Sequence, residues 1–107
     1  MSGYFISPQA DEDLLDIYDY SEENWGEKQA VKYLQALYAL FELLAANPNI
    51  GRVRRELANR ILSVSHASHI VYFMPWQREL AIVRVLHAAR DVEAVFDEFD
   101  PDIGLGQ

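Results

Sequence analysis

The charged side chains most suited to chemistry are arginines and histidines between residues 51 and 90. Arg84 lies inside the apolar run 80–87, where a charge is costly unless it is paired or faces a water-filled groove. A guanidinium at this position can clamp a phosphate or a carboxylate, and it can equally form an internal salt bridge with an acidic helix. The sequence leaves both interpretations open.

A second group of arginines occupies the segment 49–60, which has no clear hydrophobic period. An arginine-rich segment can contact nucleic acid or an acidic partner, although such a segment is more often simply solvated. The four arginines are Arg52, Arg54, Arg55 and Arg60.

Three histidines are candidates for metal binding or for acid–base chemistry. We expect His66 and His69 to point to opposite faces of the sheet because they are three residues apart, and we find no third ligand, so we predict no metal site. No carboxylate or nucleophile is placed by the sequence to activate His87, which we expect to fix the exit of its strand by a hydrogen bond. The common nucleotide-binding and hydrolase motifs are absent, and we predict no catalytic residue and no cofactor.

The net charge of −8 argues against a simple nucleic-acid-binding protein, which is usually basic. The charge is uneven: it is −7 in residues 1–50, +5 in residues 51–90 and −6 in residues 91–107. All the basic side chains of the middle segment are arginines, which suit planar recognition of carboxylate or phosphate. They can also pair with the acidic helix and tail of the chain itself.

Two helices that must position these groups are predicted in the first half of the chain. Residues 4–6 form a short apolar strand candidate, and Ser7 followed by Pro8 is typical of a helix start. A second helical stripe runs from residue 27 to residue 46, after a break at Gly26. Because the link is so short, we expect an antiparallel helical hairpin.

The second half predicts a three-stranded antiparallel meander over 61–65, 69–74 and 80–87, with a turn at 75–78 and a short last helix capped by Asp91. The fold class is therefore α+β, with the hairpin on one face of the sheet. Strict alternation places Leu80, Ile82, Arg84 and Leu86 on one face of the last strand. Both faces are apolar, so we expect the face away from the hairpin to be covered in part by a partner peptide.

Length and composition predict one domain over residues 1–100 and a flexible tail over 101–107. The chain has no cysteine, which excludes disulfides and thiolate chemistry. The first residues lack the features of a secretory signal, and no apolar run is long enough to span a membrane. We therefore expect a cytoplasmic protein without membrane contact.

Several segments together resemble the ParE toxins of type II toxin–antitoxin modules, within the wider RelE/ParE superfamily. The resemblance runs from about residue 4 to residue 91 with the same order and spacing. It is carried by the segments 4–14, 25–30, 47–52 and 68–69, and by Arg84, Leu86, His87 and Asp91.

The resemblance implies a bacterial toxin that inhibits DNA gyrase by binding it, without catalysis, and that is neutralised by a ParD-like antitoxin wrapping around it. It also implies that the complex represses its own operon through DNA contacts supplied by the antitoxin. We place antitoxin contact on the sheet face and the arginine-rich segment, because an apolar antitoxin helix bearing acids would satisfy both. The residues concerned are Arg52, Arg54, Arg60, Tyr72 and Arg84.

Two alternatives stay open at this point. The RelE branch of the superfamily cleaves mRNA on the ribosome, with Arg84 and His87 as the matching candidates, but no Tyr or His follows His87. The strongly acidic composition departs from the basic character of the family and disfavours direct contact with a nucleic-acid backbone. The other alternative is an inactive toxin retained as an antitoxin-binding module.

Overall fold

The computed structural model describes residues 3–58 and 60–97, so the boundary expected at residue 100 and the tail over 101–107 lie outside the described residues. A single 3-10 turn, Pro48–Ile50, links the second helix to the second strand. Among the described residues, no helix is long and apolar enough to cross a membrane. In chain order the elements are β1 (Tyr4–Ile6), α1 (Pro8–Trp25), α2 (Glu27–Ala46), β2 (Arg52–Val53), β3 (Leu62–His66), β4 (His69–Trp76), β5 (Glu79–His87) and α3 (Val92–Phe96).

One five-stranded sheet carries the fold, in the order β1-β5-β4-β3-β2. β1 is parallel to β5, and the other pairs are antiparallel. The predicted α+β class, the N-terminal strand, the helical hairpin, the meander and the short last helix are confirmed. β2 was not predicted, because two residues are too few to show a period.

The helix boundaries follow from the residues at their ends. The Ser7 hydroxyl accepts a hydrogen bond from the Ala10 N–H at 3.0 Å, and Pro8 opens the first turn of α1. Gly26 has a φ of 93°, a conformation that residues with a side chain rarely adopt, and it separates α1 from α2. Both predicted helix spans are therefore confirmed.

The turn between β4 and β5 is tighter than predicted. β4 continues through Pro75 and Trp76, and only Gln77 and Arg78 form the turn, with φ values of 49° and 71°. Two consecutive positive φ angles match the twist of the flanking strands, which is why two-residue hairpins use them. The predicted turn over 75–78 was too long at its start.

A bulge in β5 changes which side chains share a face. Tyr72 pairs with Arg84, but Phe73 pairs with Ile82, so Val83 has no partner across the strands. Beyond the bulge, Val85 packs on the same side as Ile82, and Leu86 packs on the opposite side. The strict alternation predicted for β5 is wrong after Val83.

Two apolar clusters lie on the two faces of the sheet. The hairpin covers one face, where Leu14, Leu37 and Phe41 pack against Phe73 and Ile82. The other face is covered by the segment before β3 and by α3. We expected a partner peptide to cover part of this second face, but in the structure the chain covers it with its own residues. The buried residues of this cluster are Leu57, Ile61, Tyr72, Met74, Ala81, Val83, Leu86 and Phe96.

Candidate functional site

Arg84 forms a two-pronged salt bridge with Asp13 of α1. Its Nε donates to Asp13 Oδ2 at 2.8 Å, and its Nη2 donates to Asp13 Oδ1 at 2.9 Å. The side chains are 19% and 10% exposed, so the pair is largely removed from water. The hydrogen bonds to Asp13 raise the pKa of Arg84, although its burial acts in the opposite direction. Of the two interpretations of Arg84, the internal salt bridge is the one observed.

The same carboxylate also completes the hydrogen bonding of β5. β1 ends at Ile6, and Ser7, the N-cap residue of α1, continues the hydrogen bonding to β5. The Ser7 N–H donates to the Ile82 carbonyl at 3.0 Å, and the Ser7 hydroxyl donates to the Val83 carbonyl at 2.8 Å. The Val85 N–H then donates to Asp13 Oδ2 at 3.0 Å. Asp13 is therefore a structural residue that fastens α1 to the sheet.

Residues 52–60 form what we call the arginine loop, and Arg54 closes it. Its N–H donates to the Ile61 carbonyl at 2.8 Å. Its side chain donates to Glu56 at 2.7 Å and to the Ser63 hydroxyl at 3.2 Å. The hydrogen bond from Arg54 lowers the pKa of Glu56 and raises that of Arg54.

Tyr72, predicted as an antitoxin contact, lies beneath this loop. It is only 2% exposed, and its ring packs against Phe96 with centroids 5.3 Å apart. The guanidinium of Arg54 lies over the same ring, 5.8 Å from its centroid. Tyr72 therefore supports the loop from the protein interior, and in the free toxin its side chain is not exposed for contact with a partner.

The other arginines of the loop are exposed. Arg60 has a φ of 71° and donates to the Pro75 carbonyl at 3.2 Å, which ties the loop to the end of β4. Arg52 lies in β2 opposite Ser63. Within residues 3–58 and 60–97, the side chains of Arg52 and Arg55 have neither a hydrogen bond nor an ion pair. Arg52 is thus exposed on the short outer strand, and Arg55 and Arg60 are exposed in the segment that follows it.

The three histidines lie in one row across the sheet. His66 pairs with His69 across the β3–β4 turn, and His69 pairs with His87 of β5. The expectation that His66 and His69 point to opposite faces is wrong, because the chain reverses between them and paired residues share a face. The hydroxyl of Tyr33 on α2 lies 2.7 Å from His69 Nδ1, and the rings of His69 and His87 have centroids 5.6 Å apart.

This row is partly shielded from water. The pKa of His69 is lowered chiefly by burial and further by the neighbouring His87 and His66, whereas Asp13 acts in the opposite direction. Burial also raises the pKa of Tyr33. No group of three or more His, Cys, Asp or Glu side chains in the described part of the chain is arranged to hold a metal ion.

The motif residues Arg84, Leu86, His87 and Asp91 all have structural partners. Leu86 is buried in the second apolar cluster. His87 Nδ1 accepts a hydrogen bond from the Ala89 N–H at 3.1 Å, which confirms the predicted role of His87 at the strand exit. The Asp91 carboxylate accepts from the Ala94 N–H at 3.4 Å and caps α3.

A groove of about 490 Å³ lies between the end of α1 and this row, and we call it the histidine groove. Its rim carries Tyr20 and Trp25, which are 64% and 69% exposed. The groove was not predicted from the sequence, because the histidines come close to α1 only when β3, β4 and β5 pair. Its lining residues are Asp13, Asp16, Ile17, Tyr20, Trp25, Ser68, His69, Val85, Leu86, His87 and Arg90.

Comparison with known proteins places this arrangement in a family. Residues 4–92, from β1 to the start of α3, match the model of the ParE toxin of type II toxin–antitoxin systems, parDE. The chain belongs to the ParE toxin family. It is therefore the toxin component of a type II toxin–antitoxin system, as its resemblance to ParE implied.

Individual ParE toxins are similar to the chain over most of its length. Toxin ParE1 of Caulobacter vibrioides is 35% identical over 94 residues, which cover 88% of this chain and 97% of that toxin. Toxin ParE1 of Mycobacterium tuberculosis is 36% identical over 93 residues, covering 86% of this chain and 95% of that toxin. The solved structure described as the chromosomal ParDE TA system from P. aeruginosa has the same fold: its TM-score is 0.71 at 21% identity, covering 81% of this chain and 96% of that chain.

Proposed function

We propose that this ParE-family toxin inhibits DNA gyrase in the cytoplasm by binding it, without catalysis, and that a ParD-like antitoxin neutralises it. The observation that carries the proposal is the family match, which spans the helical hairpin and all five strands of the sheet. Operator DNA is contacted through the antitoxin, because the toxin itself carries a net charge of −8 that repels a phosphate backbone.

The hydrogen bonding of the motif residues supports binding over RNA cleavage. An mRNA endonuclease of the RelE type would need Arg84 to stabilise phosphate charge, but both prongs of its guanidinium fork are engaged by Asp13. His87, the candidate acid–base group, has its Nδ1 engaged by the Ala89 N–H. Both side chains are therefore used to build the fold.

The arginine loop is the surface we propose for the antitoxin. Arg52 and Arg60 are exposed, and the neighbouring Ile50 and Val53 are 51% and 55% exposed, so charge and apolar area alternate along this edge. An apolar segment bearing carboxylates matches such an edge. Arg54 and Tyr72 support the surface from within, since each is at least partly buried, whereas Arg84 is held by Asp13 of α1.

The proposal is tested with purified toxin, gyrase and relaxed plasmid in a supercoiling assay. We expect the toxin to stop supercoiling and the cognate ParD-type antitoxin to restore it. A correctly folded toxin that binds antitoxin yet leaves supercoiling unchanged would show that gyrase is not its target.

The antitoxin surface is tested by a double variant with a matched control. Arg52→Gln with Arg60→Gln removes two exposed charges from the loop, and we expect antitoxin affinity to fall about 5- to 30-fold. Lys28→Gln with Lys32→Gln makes the same charge change on the exposed side of α2. Equal losses in the two double variants, measured by titration calorimetry, would place the contact elsewhere.

A further inference from the structure

The antitoxin contact proposed for the arginine loop gives no role to the histidine groove. We propose that it is a second docking site for the antitoxin, which takes a carboxylate side chain lying next to an aromatic or large aliphatic side chain. This inference rests on the proposed function, since it names where part of that antitoxin binds and how the contact is regulated.

The polar side of the groove offers hydrogen-bond donors. His87 Nδ1 accepts from the Ala89 N–H, so the proton of the neutral ring is on Nε2, which is a donor. Arg90 is exposed, and its side chain has no ion pair with residues 3–58 and 60–97. Ser68 adds a hydroxyl on the same wall. The His87 and Arg90 side chains line one groove and form no ion pair within the described residues, and donors of this kind match a carboxylate.

The apolar side of the groove offers area for an adjoining side chain. Tyr20 and Trp25 stand at the rim with most of their surface in water, and Ile17 is buried behind them. Exposed tyrosine and tryptophan beside a cavity are the residues that most often anchor a protein partner. A smaller groove of about 350 Å³ adjoins the first and shares these two aromatics with it. The two grooves together accommodate two neighbouring side chains of a peptide.

The negative charge of the carboxylates that line the groove is matched by nearby arginines, so it does not prevent an anion from binding. Asp13 of α1 is neutralised by Arg84 and by the Val85 N–H. Asp16 is the other carboxylate that lines the groove, and Arg90, which lines it as well, equals it in charge. Tyr33 of α2 contributes a hydroxyl beside His69. A net positive charge therefore appears in the groove only when a histidine takes up a proton.

This arrangement makes docking depend on pH. A bound carboxylate stabilises the protonated imidazole and so raises the histidine pKa, which by linkage makes binding tighter as the pH falls. In the free toxin burial lowers the pKa of His69, which disfavours its charged form. When it is protonated, Nδ1 can donate to the Tyr33 oxygen, whose own proton can turn to the His66 carbonyl at 3.4 Å. His69 can thus gain a proton without losing its partner on α2.

The test is titration calorimetry of the full toxin with its cognate ParD-type antitoxin at pH 7.5 and pH 6.0, in two buffers that differ in ionisation enthalpy. We expect affinity to rise about three- to tenfold at the lower pH, with net uptake of protons on binding. His69→Gln should abolish the rise, and His87→Gln combined with Arg90→Gln should weaken binding at both pH values. His66→Gln is the matched control, because His66 is in the row but does not line the groove, and it should leave affinity within about twofold of wild type.

A second arm uses defined probes in place of the antitoxin. The peptides are acetyl-Phe-Glu-amide and acetyl-Phe-Gln-amide, and the readouts are the NMR signals of the Trp25 indole and of the His69 and His87 rings. We expect only the glutamate peptide to raise the pKa of His69. Equal effects of the two peptides, or none on the groove, would overturn the proposal.

Failure of this inference is distinguishable from failure of the proposed function. Antitoxin binding that is unchanged by pH and by the His87 and Arg90 substitutions would overturn the docking site and leave neutralisation by an antitoxin intact. No complex at either pH would overturn the proposed antitoxin, and the peptide pair would then decide whether the groove binds a carboxylate.

Discussion

The arginine loop and the histidine groove lie at opposite ends of β4 and carry different kinds of positive charge. The groove begins at His69, where β4 starts, and the loop is tied by Arg60 to Pro75, where β4 ends. Guanidinium groups stay charged at any physiological pH, whereas imidazoles change charge near neutrality. We therefore propose a constant electrostatic contact at the loop and a pH-dependent one at the groove.

The two regions also differ in how firmly they are held. The loop begins with a two-residue edge strand, and the carboxylate that pairs with Arg54 is 48% exposed. The groove has a floor of paired strands and a wall fastened to β5 by the buried Asp13. Substitutions in the groove wall should therefore cost more stability than substitutions in the loop.

The largest loss of stability is expected at Asp13, which joins α1 to β5. Asp13→Ala leaves the Arg84 guanidinium and the Val85 N–H without their partner, and we expect the free energy of unfolding to fall by about 3 kcal/mol. Asp16→Ala, on the exposed side of the same helix, should change it by about 0.5 kcal/mol or less. Urea unfolding measures both, and equal effects would contradict the structural role of Asp13.

A smaller loss is expected where the arginine loop begins. A Cβ atom at Gly51 would overlap the ring of Phe73, which is completely buried. We expect Gly51→Ala to lower the free energy of unfolding by about 1–3 kcal/mol, because the core must shift to accept the methyl group. Gly3→Ala is the control, since its nearest neighbour would be the end of a Glu79 side chain at 3.5 Å. Similar losses in thermal denaturation would contradict this close packing.

A still smaller loss of stability is expected at Arg54, which closes the arginine loop. Arg54→Ala removes hydrogen bonds to Ser63 and Glu56 and the contact with the Tyr72 ring. We expect a loss of about 1 kcal/mol, because the pair is partly solvated. A loss as large as that of Asp13→Ala would show that the loop is as firmly built as the groove wall.

The smallest expected effect is a difference in pH dependence between the two regions. The pKa of His69 is lower in the folded chain because of burial and the neighbouring His87 and His66, with Asp13 opposing, so the unfolded chain binds its proton more readily. The contribution of neutral His69 to the free energy of unfolding is complete above the unfolded pKa of about 6.5. It is lost as the pH falls below that value, because the unfolded chain takes up the proton first. His69→Gln should flatten the stability curve between pH 7.5 and 5.5, whereas Arg54→Ala should keep the wild-type slope. The same slope in all three proteins, measured by urea unfolding, would contradict the burial of a neutral His69.

Much of the fold was predictable because local signals were strong. Ser7, Pro8 and Gly26 mark helix ends by their own chemistry, and both helices have long apolar stripes. The bulge at Val83 was not predictable, because its cause is the pairing of β5 with β4 and not a property of β5 alone. The cover of the second face also depends on distant residues, since Leu57 and Phe96 have no periodic pattern in common.

The candidate sites were predictable to a lesser degree. The family motif identified Arg84 and His87, but their partners Asp13 and Ala89 emerge only from packing. The row of histidines was misjudged, since a count of residues along a strand ignores the reversal between His66 and His69. The exposed arginines of the loop, by contrast, were identified from composition alone.

We propose that this toxin acts by contact with gyrase and cuts no RNA. The direct measurement adds wild-type toxin to gyrase, ATP and supercoiled plasmid, denatures the protein, and looks for linear DNA, while a parallel translation reaction is examined for cleaved mRNA. We expect linear DNA that disappears when antitoxin is added, and intact mRNA. Cleaved mRNA with no linear DNA would contradict the account and favour an endonuclease.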